Sequence, residues 1–155
     1  MPRTLTAYFG ELEYSDSAVF QFPYGLPGFE SERTFLFLQK PQTAPLMFLQ
    51  SLANAQLCFV LLPILVVDPQ YRINLDAEDL EALHLAPGGQ PRIGKDILCA
   101  AILRAGDGES EPTANLMAPV VVNLKEQIGI QAIQVDCPYS HRHPLAPGKE
   151  LASCS

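Results

Sequence analysis

The densest concentration of reactive side chains is Cys137-Pro138-Tyr139-Ser140-His141-Arg142-His143, a thiol and two imidazoles within seven residues. These are zinc-ligand types, and His141 and His143 would share one face of an extended chain. A structural zinc site takes a fourth ligand, and His84 is the only other histidine. The pattern therefore predicts no native metal site, and the two histidines read as solvated groups beside a strand end. A second concentration is acidic: Asp76, Glu78, Asp79 and Glu81 in one stretch, Asp107, Glu109 and Glu111 in another. Paired carboxylates do acid–base work only where an apolar setting shifts them toward neutral pH. These cluster on what reads as an exposed helix and an exposed loop. No GxSxG elbow, GxGxxG or GxxxxGK[ST] phosphate cradle, HExxH helix or CxxC pair occurs, which removes the common hydrolase, nucleotide, zincin and thiol-redox signatures. The expectation is a protein that is not an enzyme, with no catalytic residue, metal or cofactor.

The elements that must position these groups are mostly strands. Apolar runs are short and bounded by Pro or Gly, with strands expected near Thr4–Tyr8, Ala18–Phe22, Thr34–Leu38, Met47–Leu52, Leu57–Leu62, Ile97–Leu103, Val120–Asn123 and Ile130–Val135. Ile64–Val67 reads as a continuation of its predecessor beyond a proline kink. Several runs are continuously apolar, the signature of strands buried on both faces. Turns are expected at Pro23-Tyr24-Gly25, Pro87-Gly88-Gly89 and Gly106-Asp107-Gly108, the last as a hairpin or loop. One short helix is well signalled. Asp76 caps it, Glu78 and Asp79 complement its dipole, Leu75 and Leu80 have the spacing of a hydrophobic staple, and Pro87-Gly88-Gly89 ends it after two or three turns.

Composition narrows the class. The chain has 155 residues, 48% of them hydrophobic, enough for one domain with a real core. Its 14 prolines disfavour a helical bundle. Acids outnumber bases 17 to 10, a net charge of −7, which argues against direct binding of nucleic acid or an anionic membrane. Nine acids against four bases lie between Asp68 and Glu111, so most of the charge is placed there. Neither a secretory signal nor a membrane span is visible, so a cytoplasmic protein with reduced cysteines is expected.

Two segments are more specific than any catalytic motif. Phe22-Pro23-Tyr24-Gly25-Leu26-Pro27-Gly28-Phe29-Glu30 and Thr113-Ala114-Asn115-Leu116-Met117-Ala118-Pro119-Val120-Val121-Val122-Asn123 resemble the two hallmarks of the FliW family of flagellar assembly factors, roughly F-x-x-G-L-P-G-F-E and T-A-N-L-x-A-P-[IV]-V-[IV]-N. Phe48-Leu49-Gln50-Ser51-Leu52 is similar to the family's F-x-x-L-Q-S-L type segment, in a shorter form. Tyr71, Leu75 and Leu80 resemble its Y…L…L stretch, and Gln131, Tyr139, Arg142 and Leu145 its C-terminal strand and closing Y-x-x-R-x-P-L. The resemblance covers about residues 3–145. It implies an all-β fold, a compact antiparallel barrel-like domain with one short helix, over residues 1–145, followed by a flexible tail over 146–155.

The same resemblance implies binding rather than catalysis. Similar proteins bind newly made flagellin as a chaperone. They also bind the RNA-binding regulator CsrA, a dimer with basic surfaces, from a site beside its RNA surface, relieving repression of flagellin translation. An acidic protein held near an RNA groove would add electrostatic repulsion. Candidate partner-binding residues are Tyr24, Leu26 and Phe29 in the first hallmark turn, Asp76, Glu78, Asp79, Asp107 and Glu109 as an acidic patch for CsrA, and Asn115 in the second hallmark. Against these stand structural readings: Leu26 and Phe29 as plugs of one barrel end, and Asn115 as a turn residue bonding local backbone. The rival class is a non-flagellar β-barrel interaction or small-molecule-binding module, which would need a deep apolar pocket with converging polar groups.

Overall fold

The computed structural model describes residues 2–26, 28–106, 111–135 and 137–145. Among them run ten strands: β1 (Arg3–Thr6), β2 (Gly10–Glu13), β3 (Val19–Gln21), β4 (Thr34–Gln39), β5 (Met47–Ser51), β6 (Cys58–Pro63), β7 (Leu98–Arg104), β8 (Thr113–Asn123), β9 (Ile128–Gln131) and β10 (His143–Pro144). Strands β3 to β8 pair antiparallel in sequence order, β9 pairs antiparallel with β8, and β9 meets β3 in parallel, so seven strands close a barrel. A tight β8–β9 turn makes the closure. Gln127, held at φ +53, takes the N–H of Gln21 on its carbonyl and donates its side-chain amide to the carbonyls of Asp16 and Val19, both at 2.7 Å.

The two faces of the barrel wall explain the unbroken apolar runs. Alternate residues of the strands converge inside: Phe35 from β4, Leu49 from β5, Leu61 from β6, Ala100 from β7 and Val122 from β8 share one buried cluster. Their neighbours Cys99, Ala101, Val121 and Ile130 face outward into a second cluster. There the long excursion between β6 and β7 lays Ile64, Tyr71, Leu75, Leu80 and Leu83 across the outer wall. Side-chain amides dock that excursion. Gln134 and Asn74 exchange two hydrogen bonds at 2.8 and 3.1 Å, Gln90 and Leu75 two more at 2.8 and 2.9 Å, and Asn123 donates to the Leu83 carbonyl at 2.7 Å. The β1–β2 hairpin covers another part of the wall, with Phe9 edge-on to Phe48 at 5.2 Å.

Four expectations need correction. Ile64–Val67 does not prolong β6. Pro63 has no N–H to extend the ladder, and the chain turns into a single helical turn, α1 (Ile64–Val67), with the Asp68 N–H on the Ile64 carbonyl. The expected helix is α2 (Ala77–Ala82), shorter than two turns. It stops before Pro87-Gly88-Gly89 because His84 adopts φ +58. The N–H of Leu85 then reaches the Leu80 carbonyl and that of His84 the Glu81 carbonyl, a Schellman ending built without glycine. Thr113–Asn115 is strand, paired with β7 on one side and β10 on the other at Ala114 and Thr113. Residues 132–135 leave the β9 ladder. The β7–β8 hairpin stands as expected, its flanks registered Arg104 to Thr113, while 107–110 and 146–155 lie outside the described residues. No helix among the described residues is long and apolar enough to cross a membrane.

Candidate partner-binding surfaces

The turn after β3 is rigid because its backbone groups are used within it. Gly25 N–H bonds the Phe22 carbonyl at 2.8 Å, Phe29 N–H bonds the Leu26 carbonyl at 2.7 Å, and Gly28 N–H bonds the Glu30 carboxylate at 2.7 Å. Gly25 sits at φ +64, where an added Cβ would lie 2.6 Å from the Glu30 backbone. The turn divides its three candidate side chains. Leu26 is only 1% exposed and belongs to the barrel interior, so its reading as a partner contact is overturned; it plugs the core. Tyr24 at 54% and Phe29 at 40% remain accessible, Phe29 edge-on to Phe59 at 5.5 Å.

Asn115 organises a wide bulge in β8. Register runs from Ala100–Val120 to Ile102–Asn115, so one β7 residue stands opposite four of β8. The Asn115 side-chain oxygen accepts from Met117 N–H at 3.1 Å and Ala118 N–H at 3.0 Å, replacing ladder partners that the bulge removes. The C-terminal segment satisfies the other side: Ala132 N–H on the Pro119 carbonyl at 2.9 Å, Gln134 N–H on Met117 at 2.6 Å, and Leu116 N–H on Ser140 at 2.9 Å. Tyr71 adds its hydroxyl to the Leu116 carbonyl at 2.5 Å, and burial pushes that phenol well above its ordinary range, keeping it a donor. Asn115 therefore acts on its own backbone, and the second hallmark is an architectural device. Met117, Ile133 and Val135 are left exposed along its outer edge.

The acidic helix also splits into two kinds of carboxylate. Asp76 accepts from Asp79 N–H at 2.8 Å and Asp79 reaches back to Asp76 N–H at 3.4 Å, a reciprocal cap. Burial raises the Asp79 carboxyl above its ordinary value, the Asp76 backbone N–H opposing it and the Asp76 charge adding to it. Glu78 and Glu81 are exposed. Asp107 and Glu109 lie outside the described residues. In the Cys137 segment, the thiol donates to the Gln134 carbonyl at 3.1 Å, and His143 is in β10. Among the described residues no group of three or more His, Cys, Asp or Glu side chains could hold a metal ion.

A surface that the motifs did not indicate lies between α1, the loop before β7 and the β8–β9 turn. It is an open apolar groove of about 410 Å³ lined by Ile64, Leu65, Ile97, Leu124, Lys95 and Lys125. Leu65 and Leu124 are 40% and 52% exposed. Its sequence signal is faint: Leu124-Lys125 in one turn and Gly94-Lys95 in another.

Comparison with known proteins agrees with this architecture. Residues 3–145 match the family model described as FliW protein. A "Flagellar assembly factor FliW" of Syntrophomonas wolfei is 32% identical over 143 residues, covering 92% of this chain and 88% of the relative. The protein of that name from Geobacillus thermodenitrificans is 35% identical over 144 residues, covering 93% of this chain and 95% of its own. A solved structure, "Crystal structure of the flagellar assembly factor FliW", superposes with a TM-score of 0.80 at 33% identity, covering 96% of this chain and 99% of the other.

Proposed function

The chain belongs to the FliW family of flagellar assembly factors, and on that footing we propose that it is a cytoplasmic binding protein with two alternating partners, flagellin and CsrA. It shields newly made flagellin as a chaperone, and when flagellin is exported it is freed to bind CsrA and relieve repression of flagellin translation. The observation that carries this reading is the near-complete match over residues 3–145 together with the seven-stranded barrel. Within the hallmarks Gly25 and Asn115 serve turn and bulge geometry, while Tyr24, Phe29 and Met117 stay accessible to a partner.

The net charge of −7 supports antagonism of an RNA-binding protein: an acidic body beside a basic RNA groove repels the phosphate backbone. On α2 the carboxylates free to do this are Glu78 and Glu81; Asp107 and Glu109 are proposed to join them on charge alone. Asp76 and Asp79 are held by the helix cap. The test is co-purification of the full chain with the host's flagellin and CsrA, singly and in competition. Each partner should bind alone, and added flagellin should displace CsrA. A chain that retains neither partner would falsify the reading. For the patch, Glu78→Lys/Glu81→Lys should weaken RNA release from CsrA while the fold is kept, and unchanged release would remove the patch from the mechanism.

A further inference from the structure

The apolar groove between α1 and the β8–β9 turn is set apart by its charge. The chain has four lysines, and two of them, Lys95 and Lys125, border this one groove. Each has an acidic neighbour in sequence, yet each of those carboxylates faces another side chain. Asp96 accepts from the Arg92 N–H at 2.7 Å and lies 3.8 Å from that guanidinium, and Glu126 faces His84 at 3.4 Å. Among the described residues neither lysine is in an ion pair. An acidic protein thus presents, at one place, exposed Leu65 and Leu124 with Lys95 and Lys125 on the same lining, Asp96 being the one carboxylate there.

We propose that this groove receives an amphipathic helical segment of flagellin whose apolar stripe is bordered by carboxylates; this rests on the flagellin reading above. Helix-in-groove recognition takes apolar anchors at i, i+3 and i+4 into such a cleft. Lys95 and Lys125 meet the carboxylates flanking those anchors and fix the register. The same charges disfavour CsrA here, because a basic surface would meet like charge. The two partners therefore rely on contacts of opposite sign, flagellin on the lysine-bordered groove and CsrA on the acidic exterior; the His84–Glu126 contact sets the end of α2 beside the β8–β9 turn, so bulky partners on the two exclude each other.

The test measures affinity of the full-length chain for monomeric flagellin and for CsrA by titration calorimetry. Lys95→Glu/Lys125→Glu should weaken flagellin binding by about tenfold or more and leave CsrA binding within about twofold. Leu124→Ser, at an exposed position, should weaken flagellin binding too and leave the melting temperature unchanged. The unmodified chain's flagellin affinity should fall with added salt, and that of the Glu variant should not. Flagellin binding retained by both variants overturns the groove and leaves the two-partner reading standing. Parallel loss of CsrA affinity overturns the separation of surfaces. An unmodified chain that binds no flagellin overturns the flagellin reading and the groove with it.

Discussion

The ring of Tyr139 stacks on that of Tyr71, centroids 4.2 Å apart and planes inclined by 28°. The hydroxyl of Tyr71 continues to the Leu116 carbonyl in the β8 bulge, and that of Tyr139 accepts the Arg72 N–H at 3.0 Å. Three distant segments meet at this pair: the excursion after β6, the bulge and the C-terminal segment. Tyr71→Phe should keep the stack, remove the donor to Leu116, and cost about 1–2 kcal/mol. Tyr139→Ala should cost about 2–3 kcal/mol through lost stacking and burial. Urea unfolding followed by circular dichroism reads both, and equal effects for the two variants would refute this division of labour.

Asn115 makes a sharper case, because one oxygen serves two N–H groups. Asn115→Asp retains an acceptor and should lose little stability near neutral pH. Asn115→Ala leaves Met117 and Ala118 N–H without their partner and should cost about 1–3 kcal/mol. Hydrogen exchange at those two amides should accelerate in Asn115→Ala alone.

The strands and the capped start of α2 were legible in the sequence, since short apolar runs between Pro and Gly and the Asp76–Asp79 spacing act locally. Closure was not. It depends on Gln21 meeting Ile128 in parallel, a pairing between remote residues that no period records. The end of α2 was hidden because His84, not a glycine, takes the left-handed turn. Both hallmarks were found, but residue type could not say that Leu26 points inward while Tyr24 and Phe29 stay accessible. That division follows from the Gly25 geometry. The lysine-bordered groove left only a faint trace because α1, Lys95 and Lys125 come together only once the barrel closes.

Gly25 and Gly28 separate two costs of replacing glycine. Both have positive φ, +64 and +88, but only at Gly25 would a Cβ meet backbone, at 2.6 Å from Glu30. Gly28→Ala should cost about 1 kcal/mol, the conformational penalty alone. Gly25→Ala adds a clash that no side-chain movement relieves and should cost clearly more, roughly 2–4 kcal/mol. Thermal melts of the two variants rank them, and similar melting temperatures would show that the turn yields more readily than its hydrogen bonds suggest.

Cys99 lies buried on the outer wall of β7, and that burial pushes its thiol from an ordinary 9.0 up to about 12. Below pH 9 both folded and unfolded states keep the proton, so the favourable contribution of the buried neutral thiol is complete. Between 9 and 12 the unfolded chain releases the proton and the folded chain does not. The unfolded state then binds fewer protons, and stability falls with rising pH, by up to about 1.4 kcal/mol per pH unit from this group. Cys58, pushed up to about 11, acts in the same direction over a narrower window. Cys99→Ala should therefore be somewhat less stable at pH 7, through the lost sulfur contacts, yet lose less stability between pH 9 and 11 than the unmodified chain. Urea midpoints at four or five pH values measure both slopes, and parallel slopes would show that Cys99 ionises as readily folded as unfolded. The same protection predicts that a thiol reagent at pH 8 labels Cys99 only through the unfolded state, so urea should accelerate that reaction in step with the unfolded fraction.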